Sequence, residues 1–254
     1  MTLFNRKKKK QTDFDDFPPI GGLMVSKMIT DEGCKPMFMY RDKRSRPEDS
    51  GWRIFSGYES DEYTNNPENA GIYSASTILR IDPSIADLLL KGVGSVYERK
   101  SEKSEWYKVH NFKLGDDYMV KHQLTDKWTL EINNLFERRL EEDGSLLYTT
   151  GDKSLRLVVW NDKGKKRDDI YEDHKMIVEN RDQSRSKTLE TYDFTDDAVA
   201  RVGYLIKESD GQKEYGVIYA FSVIDENILQ IAIYFDEEAD KDWAISTWKN
   251  IKTE

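Results

Sequence analysis

The sequence predicts an α+β protein of two domains, each a largely antiparallel β-sheet packed with helices. In both halves, short runs of alternating apolar residues are separated by turn residues, and helix signals follow these runs. In the second half, Asp210-Gly211 separates two long β-rich runs, and an Asp-Gly pair in that position is a strong hairpin signal. The 254 residues are enough for one large or two ordinary domains and can bury a sizeable core.

The first half opens with a lead-in, residues 1–19, that we expect to be disordered. Alternation in GWRIFSG places Trp52 and Ile54 on one face of a strand and Arg53 and Phe55 on the other. The strands predicted in this half are 22–29 and 36–42, joined by a turn at 31–33, then 51–57 and a last strand at 95–100. The predicted helices are 75–81, after the N-cap Ser74, and 84–91, after Asp82-Pro83.

A polar stretch of mixed charge, around residues 101–127, predicts the domain boundary. We expect a first domain at 20–108, a linker at 109–127 and a second domain at 128–254. The β signals of the second domain are 128–132, 145–150, 154–160, 198–208, 213–224 and 228–235. Ala244, Ile245, Trp248 and Ile251 recur at helical spacing and predict a closing amphipathic helix.

The charge balance argues against nucleic acid as a partner. The net charge is -9, and because the first ten residues contain five basic residues and no acid, the remainder carries -14. Such a body repels phosphate backbones and suits a basic protein partner. The alternative explanation is that the acidity only maintains solubility. The Lys7–Lys10 tract is too weak an attachment for a membrane without a lipid anchor.

Cysteine content and hydropathy further limit the kinds of protein that the sequence can encode. The single cysteine, Cys34, can form neither an intrachain disulfide nor a cysteine-based zinc site. No apolar run approaches the roughly 20 residues that cross a bilayer, and the basic start is followed by a polar segment unlike a secretory signal. We therefore expect no membrane insertion and a cytoplasmic location.

Motifs of the common reaction classes are missing from the sequence. It contains no phosphate-binding loop, dinucleotide fingerprint or nucleophile elbow. The three histidines, His110, His122 and His174, do not have the spacing of a zinc site on a helix. We predict no catalytic residue, no metal and no cofactor. The alternative is a hydrolase or small-ligand enzyme with a site between the two domains, in which His122 or His174 acts with nearby acids.

Residues 48–77, EDSGWRIFSGYESDEYTNNPENAGIYSAST, are the candidate recognition segment. In one interpretation its aromatic residues belong to the core, its glycines form turns and its acids are solvated. In the other, aromatic anchors surrounded by acids bind a basic partner. Trp52 favours the core, because it lies in a strand pattern. The predicted partner-binding residues are Asp49, Trp52, Tyr58, Glu59, Asp61, Glu62 and Tyr63.

A family resemblance runs from about residue 22 to 99. The blocks VSKMI, PMFMYRD, EDSGWRIFSGYESDEY, NPENAGIYSASTILRIDPSI and GVGSVYER, in this order, resemble a bacterial domain of unknown function grouped as immunity protein 33 of polymorphic toxin systems. The resemblance implies a small α+β domain that binds and neutralises a cognate toxin without catalysis. It carries over no agreed functional residues. The family's block of acidic and aromatic residues corresponds here to Asp49, Ser50, Gly51, Trp52, Tyr58, Asp61, Glu62 and Tyr63.

The second half resembles a different fold family. Its closing sequence, FDEEADKDWAISTWKNIK, after an antiparallel sheet, is similar to the Mog1/PsbP-type α/β sandwich, whose known members bind partner proteins. The acidity of the chain after residue 10, the missing catalytic motifs and the resemblance of the first half predict a non-enzymatic protein-binding module, an immunity protein that occludes a basic toxin domain with an acidic surface. A scaffold or adaptor unrelated to toxins is a third possibility, which differs only in its partner.

Overall fold

The computed structural model describes residues 14–253, which form two compact units divided between Leu114 and Gly115. The Lys7–Lys10 tract and most of the predicted lead-in lie outside the described residues. The strands of the first unit are β1 (Gly22–Ser26), β2 (Phe38–Arg41), β3 (Asp49–Phe55), β4 (Ala70–Tyr73), β5 (Val96–Glu98) and β6 (Tyr107–Lys108). Its helices are α1 (Lys27–Thr30), α2 (Asp61–Thr64) and α3 (Ala75–Ile81), with 3₁₀ turns at Pro67–Asn69, Pro83–Ile85 and Leu88–Leu90.

The six strands of the first unit form one sheet in the order β4-β1-β3-β2-β5-β6. All neighbours are antiparallel except β1 and β3, which run parallel. One face carries the core, in which Trp52 and Ile54 are fully buried, as the alternation in β3 predicted. The other core residues include Leu23, Val25, Met39, Ile78, Leu79, Ile85 and Leu89.

Three local predictions for the first unit are wrong. The first strand ends at Ser26, whose hydroxyl accepts a hydrogen bond from the Met28 backbone N–H and starts α1, so the strand does not reach residue 29. In the sheet β1 and β2 are not neighbours, because β3 lies between them. The helix predicted at 84–91 is two 3₁₀ turns, and the strand at 95–100 is not the last, because β6 pairs with it.

The second unit contains ten strands and two α-helices. The strands are β7 (Met119–Gln123), β8 (Trp128–Asn133), β9 (Glu137–Leu140), β10 (Leu146–Thr149), β11 (Lys153–Asn161), β12 (Thr188–Asp193), β13 (Ala200–Ser209), β14 (Glu214–Ile224), β15 (Asn227–Phe235) and β16 (Lys252–Thr253). The helices are α4 (Arg167–Glu179) and α5 (Lys241–Lys249), with a 3₁₀ turn at Glu238–Asp240. Seven strands form a sheet in the order β12-β13-β14-β15-β11-β10-β9, and β16-β8-β7 form a second sheet.

The main core of the second unit lies between its two sheets and α5. Trp248 and Ala244 of α5 pack there with Trp128 of β8 and with the buried side chains of β15, as the helical spacing predicted. On the other face of the seven-stranded sheet, Ile170 of α4 packs in a smaller cluster. The hairpin predicted at Asp210-Gly211 joins β13 and β14. The α+β class, with largely antiparallel sheets in both units, is confirmed. Within residues 14–253, no helix is both long and apolar enough to span a bilayer.

Candidate partner-binding site

The predicted residue Asp49 begins β3 and is held by contacts within the chain. Its carboxylate accepts hydrogen bonds from the two terminal guanidinium nitrogens of Arg53, at 2.9 and 2.8 Å, and from the Ser45 hydroxyl and the Gly51 backbone N–H. Gly51 has a φ of 83°, and a Cβ at this position would lie 2.1 Å from the Asp42 carbonyl oxygen, so only glycine fits the bend. The Arg53 hydrogen bonds are the main reason that the pKa of Asp49 lies well below its ordinary range.

We expect Asp49→Asn to destabilise the first unit by about 1–3 kcal/mol at neutral pH, because it removes a charged hydrogen-bond acceptor from a largely buried pair. Since the folded-state pKa of Asp49 is lowered, its stabilising effect is complete above the unfolded pKa of about 3.9 and is lost as the pH falls from there towards the folded pKa. The gap in unfolding free energy between wild type and variant should therefore shrink below about pH 4.

Urea unfolding at a series of pH values between 7 and 3 measures this gap. The exposed acid Asp61 supplies the matched control, and Asp61→Asn should change the unfolding free energy only slightly throughout. A gap for Asp49→Asn that stays constant over the series would contradict the assigned role of the carboxylate.

Two further predicted residues face inward. Trp52 is 0% exposed, and its indole N–H donates to the Leu89 carbonyl oxygen at 3.0 Å, so it belongs to the core rather than to an exposed surface. The Glu59 carboxylate accepts hydrogen bonds from the Ser56 backbone N–H, the Ser56 hydroxyl and the Gly57 backbone N–H. Burial raises the pKa of Glu59, but the hydrogen bonds from Ser26 and Ser56 outweigh it, so the pKa is lowered and the side chain stays anionic.

The remaining predicted residues lie on or beside α2. The hydroxyl of Ser60 caps this short helix by accepting from the Tyr63 backbone N–H. Tyr58 is 61% exposed, and Asp61 and Glu62 in the first turn are also exposed. Tyr63 is half-buried and faces a cleft.

This cleft, which we call the α2 cleft, lies between the α2 segment and the face of the six-stranded sheet opposite the core. Its volume is about 280 Å³. The residues that line it are Met24, Ser26, Tyr40, Arg53, Ile54, Phe55, Glu59, Tyr63, Thr64, Asn65, Asn66, Asn69 and Ala70. A neighbouring cleft of about 320 Å³ shares Met24 and contains Asp49. The structure thus brings Asp49, Glu59 and Tyr63 to the same side of the sheet and leaves Trp52 on the other.

Several residues of the α2 cleft were not among the predicted set. Arg53 and Phe55 could have been found from the sequence, because alternation in β3 places them opposite Trp52 and Ile54. Met24 and Tyr40 come from other strands, and only the sheet order brings them to β3. Asn65, Asn66 and Asn69 follow α2, and from the sequence a segment rich in asparagine predicts only a turn.

The histidines named in the enzyme alternative lie in the second unit. The His174 Nδ1 is 2.7 Å from the Ile170 carbonyl oxygen, one turn back on α4, so Nδ1 carries the proton and donates. Its ring also packs against Phe221 at 4.4 Å. The His122 ring contacts Tyr148 edge-on at 5.2 Å. Within the described residues, no three or more His, Cys, Asp or Glu side chains are grouped so as to hold a metal ion.

Comparison with models of known protein families finds a match within the first unit. Residues 23–110 match the family model of the Immunity protein Imm33 domain. The Imm33 match starts in β1 and ends just beyond β6, so it covers the six-stranded sheet and the lining of both clefts except Gly22. The resemblance expected from the sequence is confirmed for this segment.

Comparisons of the whole chain give distant structural similarities. The solution structure of cyanobacterial PsbP (CyanoP) from Synechocystis sp. PCC 6803 is similar over 57% of this chain and 98% of its own, with 8% identity and a TM-score of 0.42. The Ran-binding protein Mog1p of Saccharomyces cerevisiae is similar over 51% of this chain and 82% of its own, with 11% identity and a TM-score of 0.34. No curated protein matches the chain.

Charge is distributed unevenly between the Imm33-matched segment and the rest of the chain. Residues 23–110 contain 13 basic and 14 acidic residues, a net charge of -1. Residues 111–254 contain 21 basic and 31 acidic residues, a net charge of -10. Within the matched segment, however, residues 56–69 carry four acids and no base. The acidity near the α2 cleft is therefore a local property of this loop.

Proposed function

We propose that the chain is an immunity protein that binds a cognate toxin through its first unit and neutralises it by covering it. The observation that carries the proposal is the match of residues 23–110 to the Imm33 domain. Binding without catalysis is the mode of action that this family name implies. The proposed site of action is the cytoplasm.

The exposed acids around α2 support a basic toxin domain as the partner. Tyr58 offers a large exposed aromatic ring. Asp61 and Glu62 lie close to it in sequence, in a segment, residues 56–69, that carries a net charge of -4. Aromatic anchors with a charged rim are typical of protein interfaces, and opposite charge accelerates encounter. Asp49 and Glu59 contribute by holding β3 and the loop in place, since their carboxylates are engaged within the chain.

Co-expression with toxin domains encoded beside the gene for this chain tests the proposal. We expect one such domain to stop bacterial growth alone and to be harmless when the full chain is present, and the two purified proteins to form a complex. Growth inhibition that persists with the chain for every toxic domain would overturn the proposal. If the chain neutralises the toxin by binding alone, toxin released from the complex should be unmodified and active again. Toxin that the chain had inactivated as an enzyme would stay modified and inactive.

Charge reversal on the loop tests the acidic surface. Asp61→Lys with Glu62→Lys should slow association with the neutralised toxin by about 10-fold or more at low salt, and the difference should narrow as salt screens the charges. Stopped-flow or surface-based kinetics at two salt concentrations measures this. The matched control reverses Glu172 and Glu179, two exposed acids on α4 of the second unit, with the same change in net charge. Equal rates for the two double variants would remove the loop from the interface.

A further inference from the structure

Three aromatic side chains line the α2 cleft. Tyr40 of β2 and Phe55 of β3 lie on the same face of the sheet, and their rings stack with an angle of 17° and a centroid distance of 6.0 Å. Tyr63 reaches the cleft from α2. Three aromatic rings from three different elements therefore border one cavity, and the face of an aromatic ring attracts cations.

The charges inside the cleft favour a cation from outside. The cleft contains one cation, Arg53, and its guanidinium is held by two hydrogen bonds to the Asp49 carboxylate, so the charge of Arg53 is balanced. The Glu59 carboxylate accepts from neutral donors at Ser56 and Gly57, which satisfy its oxygens but leave its negative charge. Exposed acids in the first turn of α2 add to the negative field.

The volume of the cleft suits a single side chain of a partner better than a small-molecule ligand. Pockets for small-molecule ligands and cofactors enclose about 300–1,000 Å³, so a cleft of about 280 Å³ is at or below the lower limit. The asparagines at its edge are partly engaged: the Asn69 amide donates to the Tyr63 carbonyl oxygen, and the Asn66 side-chain oxygen accepts from the Glu68 backbone N–H. Their amide groups present further polar atoms at the entrance.

We propose that the α2 cleft receives an arginine side chain of the partner, stacked on Tyr40, Phe55 and Tyr63 and facing the Glu59 carboxylate. The proposal rests on the proposed function, since it names the chemistry by which the toxin would be held. Arginine fits better than lysine, because its planar guanidinium stacks on aromatic faces and its five N–H donors can bond both a carboxylate and amide oxygens. The cleft is then the anchor of the interface, and the acids at Asp61 and Glu62 form its rim.

Nuclear magnetic resonance on the full chain tests the cleft without the toxin. The probe is N-acetyl-arginine methylamide, and its neutral counterpart is the corresponding citrulline compound, which has nearly the same shape. We expect saturable shifts of the backbone amide signals of Tyr63, Asn65, Asn66 and Asn69 with the arginine probe, and binding about 10-fold weaker with the citrulline probe. The lysine analogue should bind between the two.

Variants of residues that line the α2 cleft test whether the NMR shifts arise from binding in this cleft. Tyr63→Ala and Phe55→Leu should each abolish saturation by the arginine probe, the second while keeping an apolar side chain. Tyr107→Ala, at an exposed aromatic ring on β6 that does not line the cleft, is the matched control and should leave binding unchanged. Equal binding of the citrulline probe, or shifts that survive both cleft variants, would overturn the proposal. Since the toxin takes no part, that outcome would leave the neutralisation assay to decide the proposed function separately.

Discussion

Replacing Asp82 by alanine is expected to lower the free energy of unfolding of the first unit by about 3–5 kcal/mol. Asp82 and Arg99 form an ion pair in which both residues are buried, 6% and 4% exposed. Arg99 also donates to the Pro36 carbonyl oxygen at 2.7 Å and lies over the Trp106 ring at 4.7 Å. Without Asp82 the guanidinium stays buried with an unbalanced charge, and this makes the substitution costly.

The Asp82 side chain has a second role that adds to the loss. Its Oδ1 accepts from the Ser84 backbone N–H at 3.0 Å and caps the 3₁₀ turn that starts at Pro83. Hydrogen exchange resolved by mass spectrometry, on peptides within residues 22–114 of the full chain, measures the local free energy. Asp87→Ala is the matched control, because Asp87 is exposed at the start of the next 3₁₀ turn and forms no side-chain cap.

A double variant separates the buried charge from the cap. Asp82→Ala with Arg99→Met should recover part of the stability lost by Asp82→Ala alone, because the unbalanced guanidinium is gone and an apolar side chain replaces it. If the single and double variants are equally destabilised, the loss arises from the cap and the packing rather than from the charge.

The second large effect is expected for Trp248→Ala, which should destabilise the second unit by about 3–5 kcal/mol. Trp248 is 0% exposed in the last turn of α5, and the centroid of its ring is 5.1 Å from that of Phe194. Its indole N–H donates to the Ser222 hydroxyl at 3.0 Å, so the substitution leaves a cavity and removes the partner of a buried serine.

Trp243 on the same helix is the matched control for this prediction. It is half-buried and stacks on Phe136 at 5.5 Å, so Trp243→Ala removes the same atoms from a less enclosed place and should cost less. Urea unfolding of the full chain, followed by hydrogen exchange of peptides from residues 128–251, compares the two. A loss for Trp243→Ala as large as for Trp248→Ala would contradict the expectation that the more deeply buried tryptophan contributes more to stability.

Local signals were enough to predict much of the fold. The alternation in β3 identified the buried face that carries Trp52 and Ile54, and Asp210-Gly211 identified the hairpin of β13 and β14. Ser74 was a correct N-cap, since its hydroxyl accepts from the Thr77 backbone N–H. Each of these signals acts between residues that are close in sequence, where spacing and side-chain type determine the geometry.

Strand order and polar edge strands could not be predicted in this way. The parallel pairing of β1 with β3 depends on a partner about 30 residues away, which no local pattern specifies. The strands β9 and β12 lie at the two edges of the seven-stranded sheet, and their sequences, ERRL and TLETYD, lack the alternating apolar residues that mark a half-buried strand.

The candidate site shows the same division. The loop with Tyr58, Asp61 and Glu62 was recognisable from its composition, and these side chains are exposed. The hydrogen bonds that hold the Glu59 carboxylate could not be recognised, because a glutamate that accepts backbone hydrogen bonds and one that faces solvent look alike in a sequence. The α2 cleft was missed as a whole, since its rings come from three elements that meet only through the sheet order.

The central position of β3 has a consequence for how the chain folds during synthesis. β1 pairs on one side with β3, at residues 49–54, and on the other with β4, at residues 70–73. Because the ribosome releases the chain from its N-terminus, β1 waits with both edges unpaired until β3 has emerged, which is a long interval at about 5–20 residues per second. In the second unit, β13, β14 and β15 pair in the order of synthesis through short turns, so each strand finds its neighbour at once. Both edges of β1 are therefore open to pairing with other strands until β3 has emerged, and chaperones would protect the first unit at this stage.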